Sequence, residues 1–595
     1  MAPDDSLGRP ASMTAPAERA KLSLARELGA RGSRNPVGEA DPAGPLPASA
    51  CDVLAVVPAW WEAQARAFGL SGRWLDLEQA LDASAPEAAG GGSRTKRLDL
   101  VTSTAEDLGA AYVASLDAGV RARHGRHYTP PQLSVRLWTM TRASLGLVRG
   151  RLGPLPGLLR DPACGAGALL LPPVREHVQA LAHSDPRVTL AGIPNLVEGI
   201  DADPAAVWLT NVVLAAELLP LVALVPEARR RPLPALARVG DGLEAQERSA
   251  RAVVMNPPYG RVRLAPDERA RFADVLYGHA NLYTLFMGAG VEQLDAKGVL
   301  GALVPTSFLA GRYFSNLRTT LAATAPLRDA TFVEERDGVF AGVLQETCLA
   351  VFSRRKARKV SVASMNGRVV DVAKLAAPRG GAPWLLPRRS DDAPIAAAAA
   401  AMPLNLGATG WRASTGPLVW NRRRADLADE AGEGRCPIIW AADLDGGRLH
   451  RDPSRDAFRY ITLRDDRDAE VLALRSPAIL VQRTTAPEQA RRVVAAELTE
   501  DDLHRWGGQV VVENHVNVLR PRDPNTAPIV SRGLLCAVLA TECIDRVVRC
   551  VSGSVALSAY ELEALPLPPP DVLRSWEGLR GAVLESAVHR AYRLG

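Results

Sequence analysis

Between residues 155 and 353, short apolar runs alternate with stretches of helical spacing. Apolar runs of a few residues bounded by turn formers read as buried strands. Apolar positions recurring every three or four residues read as helices. The spacing predicts strands at 158–161, 195–200, 237–239, 252–255, 298–305, 330–334 and 347–352. Helices are expected after residue 131, at 204–219 and from Leu282 onward. Strands alternating with helices predict a mostly parallel, doubly wound α/β sheet.

The pattern weakens on either side. Residues 1–45 are rich in Ala, Gly, Pro, Ser and Arg without a sustained period and predict a disordered tail. Residues 46–119 carry mainly helical patterning, with Trp60-Trp61, an amphipathic run at 75–81 and a Gly-rich linker at 90–93. The main α/β unit spans 120–355. A charged run at 354–359, the proline-bounded stretch 378–387 and a nearly all-Ala helix at 394–401 mark 356–404 as a linker. From 405 to 570 short strands and turns predict an α+β domain, and 571–595 a C-terminal helix.

Composition narrows the class. A chain of 595 residues, 47% hydrophobic and 23% charged, is ordinary for a globular protein with two or more domains. The net charge of +5 permits nucleic acid as a partner without demanding it. Six residues are lysine, none beyond Lys374, so nearly all positive charge is arginine. Arginine suits phosphate and guanine contacts, although a GC-rich genome explains the bias as well. Seven scattered cysteines form no Cys-x-x-Cys or Cys/His cluster, so neither a disulfide framework nor a metal site is expected. Cys536, Cys543 and Cys550 share a seven-residue spacing that predicts one buried helix face. No basic-then-apolar leader opens the chain and no apolar run reads as a membrane span, so a cytoplasmic location without membrane partners is expected.

The chemistry clusters at the predicted strand ends. Ala252-Val253-Val254-Met255 runs into Asn256-Pro257-Pro258-Tyr259. Two prolines supply no N–H and stiffen the exit from the sheet, at the edge where open α/β sheets bind ligands. Asp161-Pro162-Ala163-Cys164-Gly165-Ala166-Gly167 follows the first strand, and its glycines allow close backbone approach to a ligand. Asp201 ends the second strand; Asp203, before Pro204, reads as a helix cap. Asp241 follows the third strand in Val239-Gly240-Asp241-Gly242. Upstream, Tyr128-Thr129-Pro130-Pro131 leads into a helix that Thr129 is suited to cap. Pro172-Pro173 should kink or end the helix after the glycine loop early.

Taken in order, these stretches resemble the gamma-type adenine amino-methyltransferases of restriction-modification systems, the Eco57I-like and TaqI-like group. The specific motifs cover roughly 120–353 and looser ones 405–570. The resemblance implies a Rossmann-like catalytic domain dependent on S-adenosyl-L-methionine, joined to a C-terminal DNA target-recognition domain. It implies methyl transfer to the N6 amine of a flipped-out adenine. The amine's lone pair is delocalised into the ring; the Asn256 amide oxygen and the Pro257 carbonyl would accept both hydrogens, localising that pair and aiming it at the methyl. Tyr259 would stack on the base, with Phe340 on its far face. Tyr128, Thr129, Asp161, Ala163, Gly165, Gly167, Asp201, Asp241 and Asn256 would line the cofactor site. Asp161 would face the methionine ammonium, Asp201 the ribose and Asp241 the adenine amine. The charged segment 261–274 suits a mobile loop over the base.

Arg422, Arg483, Thr484, Asn514 and His515, on polar strand ends and loops of 405–570, are the DNA-binding candidates. Double-stranded DNA is the expected partner, with room for a separate cognate restriction endonuclease, and no metal is needed for methyl transfer. The alternatives are a cytosine-N4 methyltransferase, whose motif more often begins with Ser, and a methyltransferase–nuclease fusion. Against the fusion, no acidic residue followed by Glu-x-Lys stands in 50–120.

Overall fold

The computed structural model describes residues 46–75, 98–119, 121, 127–334, 346–451, 458–485, 489–551 and 556–592. The tail 1–45, the linker 90–93, most of the run 75–81 and Phe340 lie outside the described residues.

Among the described residues, eleven strands belong to the first part of the chain. They are β1 Leu159–Asp161, β2 Val197–Asp201, β3 Ala237–Val239, β4 Ala250–Met255, β5 Arg261–Val262, β6 Ala280–Asn281, β7 Leu294–Pro305, β8 Leu327–Val333, β9 Thr347–Ser353, β10 Lys359–Asn366 and β11 Arg368–Ala376. Nine form one sheet in the order β11-β10-β8-β9-β7-β4-β1-β2-β3. β3, β2, β1, β4 and β7 run parallel. β9 enters antiparallel between β7 and β8. The strand order reverses between β1 and β4, which opens a crevice at their carboxyl ends. The doubly wound α/β expectation matches this sheet.

Residues 356–404, read as a linker, extend the sheet. β10 pairs parallel with β8, and β11 folds back antiparallel on β10. The charged run 354–359 leads straight into β10, and β11 is an edge strand whose first four residues are exposed. Charges on a sheet edge are how proteins discourage further pairing.

Two helices fall differently from expectation. The helix after the glycine loop begins late, at Leu171–Ala180, with Pro172 and Pro173 in its first turn. Proline is tolerated there because first-turn N–H groups have no partner inside the helix. Thr129 is not a cap either: Pro131–Leu145 starts with Pro130 at the cap position. Asp203 does cap Pro204–Leu224, accepting from the Ala205 amide at 3.0 Å. That helix has the length and hydropathy of a membrane span, contrary to the sequence reading, yet 72% of its apolar window is buried within the protein. The N-terminal helices Val57–Ala67 and Ala105–Ser115 pack on it, burying Trp60, Trp61 and Tyr112.

Beyond residue 404, a four-stranded sheet (Trp411–Thr415, Val516–Pro521, Ala478–Gln482, Ala495–Leu498) and a five-stranded one form an α+β region. Its helices Arg532–Leu539 and Glu542–Val551 carry Cys536, Cys543 and Cys550, all buried, on two helices rather than one. The C-terminal stretch also divides in two, Pro570–Arg574 and Gly581–Ala591.

Candidate active site

β1 and β4 lie side by side in the register Leu159↔Ala252 and Arg160↔Val253, so Asp161 and Asn256 leave the sheet at the same edge. Asp161 is 1% exposed, and its Oδ1 accepts from the Ala163 amide at 3.0 Å. Burial pushes its carboxyl up to about 8, with the neighbouring Asp201 charge adding to the effect and the Ala163 amide opposing it. Gly165 and Gly167 turn the loop with φ of +50° and +84°. The space a side chain would take at Gly165 is open, whereas at Gly167 it would press on Thr210 and Val213. Gly242 must also be glycine, because an added Cβ would lie 1.8 Å from the Pro162 carbonyl oxygen.

Asp201 braces this loop. Its Oδ2 accepts from the Gly165 amide at 2.8 Å and its Oδ1 from the Asp203 amide at 2.9 Å. Each carboxylate oxygen has a second lone pair, so bracing and ribose binding are compatible. Asp241 is exposed after β3 and accepts from the Leu243 amide at 2.8 Å. Tyr128 packs beneath Gly109 and Ala166, and its hydroxyl is buried without a hydrogen-bond partner. A buried carboxylate, an orphaned hydroxyl and an open glycine turn fit a cofactor that carries an ammonium and a sugar diol.

The tetrapeptide Asn256-Pro257-Pro258-Tyr259 sits across the crevice. The Asn256 Nδ2 donates to Thr129 Oγ1 at 3.0 Å. The single proton of the Tyr259 hydroxyl has two acceptors in reach, Asn256 Oδ1 at 2.9 Å and the Leu303 carbonyl at 3.3 Å, and the nearer is Oδ1. Burial raises the Tyr259 phenol well above its ordinary value, so it stays a donor. The Tyr259 ring meets Tyr283 edge-on, with centroids 6.1 Å apart, and Tyr283 stacks on Phe314. Pro257 is buried. The segment 261–274 carries more order than expected. β5 pairs with β6, a short helix spans Pro266–Arg271, and Phe272 is buried.

The recognition candidates divide. Arg483 and Thr484 follow the strand Ala478–Gln482, and Asn514 and His515 form the turn into Val516–Pro521. They converge: the Arg483 amide donates to the His515 carbonyl at 2.7 Å and its Nη1 to the Asn514 carbonyl at 3.1 Å. Glu513, which the sequence reading passed over, is 1% exposed and holds His515 Nδ1 at 2.8 Å. Arg422 stands exposed on the turn Trp420–Arg422, just after Leu418, whose carbonyl accepts from the Asn514 amide. Among the described residues, no group of three or more His, Cys, Asp or Glu side chains is set to hold a metal.

Residues 243–340 match the family described as Eco57I restriction-modification methylase. The chain is similar to the type II methyltransferase M.BsuBI of Bacillus subtilis, 23% identical over 333 residues covering 54% of this chain and 66% of that one. It is also similar to M.PstI of Providencia stuartii, 24% identical, with 54% and 65% covered. The match therefore spans just under two thirds of either relative. Among solved structures, the type IIL restriction-modification enzyme MmeI in complex with DNA is 13% identical, with 82% of this chain and 77% of that one covered and a TM-score of 0.49. The type IIG restriction endonuclease BpuSI is 12% identical, with 91% and 72% covered and a TM-score of 0.45.

Proposed function

We propose that this chain, a restriction-modification amino-methyltransferase by its family match and relatives, is a site-specific DNA adenine N6-methyltransferase. The observation that carries this reading is the pairing of Asn256, at the end of β4, with the cofactor-type loop at the end of β1, across the point where the strand order reverses.

S-adenosylmethionine, when bound, supplies an activated methyl sulfonium. The residues suited to hold it are Asp161 toward its ammonium, Asp201 toward its ribose and Asp241 toward its adenine. The Gly165–Gly167 turn and the Tyr128-Thr129 loop would line the rest. Asn256 Oδ1 and the Pro257 carbonyl accept the hydrogens of the target amine. Tyr259 offers an aromatic ring to an extruded base, and Phe340 is its proposed counterpart. Positioning and electrostatics carry the reaction, and no group with a shifted pKa is needed as a general base. Arg483, Thr484, Asn514 and His515, together with Arg422, are the proposed contacts to double-stranded DNA. A separate cognate endonuclease is the proposed partner.

The test is single-turnover transfer of labelled methyl to DNA, followed by digestion to nucleosides. The reading expects label in N6-methyladenine without added metal. Label in N4-methylcytosine would keep the chemistry and overturn the substrate; DNA cleavage in Mg²⁺ would establish a nuclease fusion.

A further inference from the structure

A carboxamide is nearly symmetric in shape but not in function. Rotating it by half a turn swaps acceptor for donor. The proposed chemistry needs the oxygen of Asn256 toward the target amine, because an –NH₂ group there would face another –NH₂. Something must therefore choose the orientation. The local sequence does not, since two of the next three residues are prolines without donors.

The choice is made from a distance. Thr129 lies 127 residues earlier in the chain and is 4% exposed. Its Oγ1 takes the Asn256 Nδ2 hydrogen at 3.0 Å. On the other side the Tyr259 hydroxyl, itself anchored toward the Leu303 carbonyl, donates to Oδ1 at 2.9 Å. The acceptor edge and the donor edge of the amide each have a matched partner; flipping the amide would require both hydroxyls to turn round, with the Tyr259 proton sent to the more distant Leu303 carbonyl. One lone pair of Oδ1 remains for a substrate hydrogen.

We infer that Thr129 is a positioning residue for methyl transfer: its hydroxyl holds the Asn256 amide with the oxygen toward the base. The inference rests on the methyltransferase reading and changes the part given to Thr129 within it. The Tyr-Thr-Pro loop then acts on the catalytic amide through a side chain, beyond any contact it makes with the cofactor. The buried Tyr259 hydroxyl completes the clamp.

Thr129→Val keeps the shape and removes the acceptor; Thr129→Ala is a second loss variant, and Thr129→Ser keeps the hydroxyl. Single-turnover methyl transfer, S-adenosylhomocysteine affinity by calorimetry and thermal melting are measured for each. The Val and Ala variants are expected to transfer methyl about tenfold to a hundredfold more slowly, the scale of a misplaced reacting group. Their S-adenosylhomocysteine affinity should fall far less than the rate, their melting should stay at the wild-type value, and Ser should restore the rate. Wild-type transfer by both the Val and Ala variants overturns the proposal. So does a loss of S-adenosylhomocysteine affinity that matches the loss of rate, which would make Thr129 a cofactor contact. A wild-type protein that methylates no DNA overturns the functional reading and this proposal with it; wild-type transfer with unaffected variants overturns this proposal alone.

Discussion

The crevice at the ends of β1 and β4 and the proposed recognition turn at 483–484 and 513–515 both gather polar side chains at strand ends, but they hold them differently. In the crevice, the backbone fixes the carboxylates: Asp161 and Asp201 accept from the amides of Ala163, Gly165 and Asp203. In the recognition turn, one buried carboxylate, Glu513, orients an exposed imidazole, His515, whose neighbour Arg483 is tied to main-chain carbonyls. The first arrangement is fixed by main-chain hydrogen bonds. The second presents side chains outward from a narrow base. Chemistry at a fixed point needs the former; contact with a long polyanion tolerates the latter.

The sharpest way to break this contrast is at Asn256. Asn256→Ala should cut single-turnover methyl transfer by about 10²–10³, the loss seen when a preorganised hydrogen-bonding group is removed from a transition state. Cofactor affinity and DNA binding should stay near wild type. Tyr259→Ala should be comparably severe. Tyr259→Phe should cost only a few-fold, more than a pure stacking role would give, because its hydroxyl steadies the Asn256 oxygen. Wild-type rates in Asn256→Ala would end the mechanism.

Next in size is the joint between the two regions. Arg318 is fully buried and donates to the carbonyls of Phe308, Gly311, Gly381 and Ala382 and to the Tyr560 hydroxyl, at 2.7–3.3 Å. Arg318→Met would strip the Phe308 and Ala382 carbonyls of their arginine donor and leave Gly311 and Gly381 to the Phe314 amide and the Tyr560 hydroxyl. An unfolding titration should register a loss of the order of 3 kcal/mol. A neutral outcome would mean that the Arg318 hydrogen bonds add nothing net to the joint, leaving it to its apolar contacts and to pairs such as Arg546–Asp392.

The apolar pattern made β4 and β7 legible, because their apolar stretches are buried on both faces and read as continuous runs. It also placed the acidic residues at the strand ends. It missed β11, where exposure on the sheet edge disguises a strand, and β10, which follows directly on the charged run 354–359. It missed Arg318 and the Thr129–Asn256 bond for another reason. Both depend on contacts between distant segments, and a lone arginine or threonine gives no local sign of its partners. Glu513 was passed over because a glutamate before Asn-His looks like an ordinary solvated turn residue.

A smaller effect tests the main-chain hydrogen bonds of the crevice. Asp201→Asn keeps the shape but makes one side-chain position a donor, which faces the amides of Gly165 and Asp203. S-adenosylhomocysteine binding should weaken by roughly 1–3 kcal/mol. Calorimetry giving an unchanged affinity in a folded variant would remove Asp201 from the cofactor site.

Asp161 gives a pH signature at the same place. Its carboxyl, pushed up from the ordinary 3.8 to about 8, holds a proton at neutral pH. An arriving ammonium favours the carboxylate and pulls that value down. Binding at pH 7 should therefore release close to one proton, read as a dependence of the calorimetric heat on buffer ionisation. Affinity should rise with pH up to about 8 and then level off. Through this group, the stability of the ligand-free protein should fall as pH rises from 3.8 to about 8, because the unfolded chain gives up the proton first. Asp161→Asn should abolish the proton release; its persistence would assign the proton elsewhere.

The smallest effect belongs to the recognition turn. Hydrogen bonding to Glu513 raises the His515 imidazole above its ordinary 6.5, against its partial burial and the nearby Arg483 charge. The Glu513 carboxylate takes Nδ1–H and points the other ring nitrogen away from the carboxylate. Protonated, that nitrogen donates to a phosphate oxygen or a base-edge acceptor; neutral, it cannot. The sign follows from a raised value: the contribution is fully present below pH 6.5 and is lost as pH rises through the folded-state value. Specific DNA binding, measured at fixed salt, should therefore weaken a few-fold across that window, as one phosphate contact among several would. The salt slope should fall by about one counterion over the same range. Glu513→Gln should move the whole transition to lower pH, because the neutral amide no longer favours the imidazolium. His515→Ala should flatten it. A pH profile that keeps its shape in His515→Ala would place His515 off the DNA, and leave Arg483 and Asn514 to hold that end of the recognition surface.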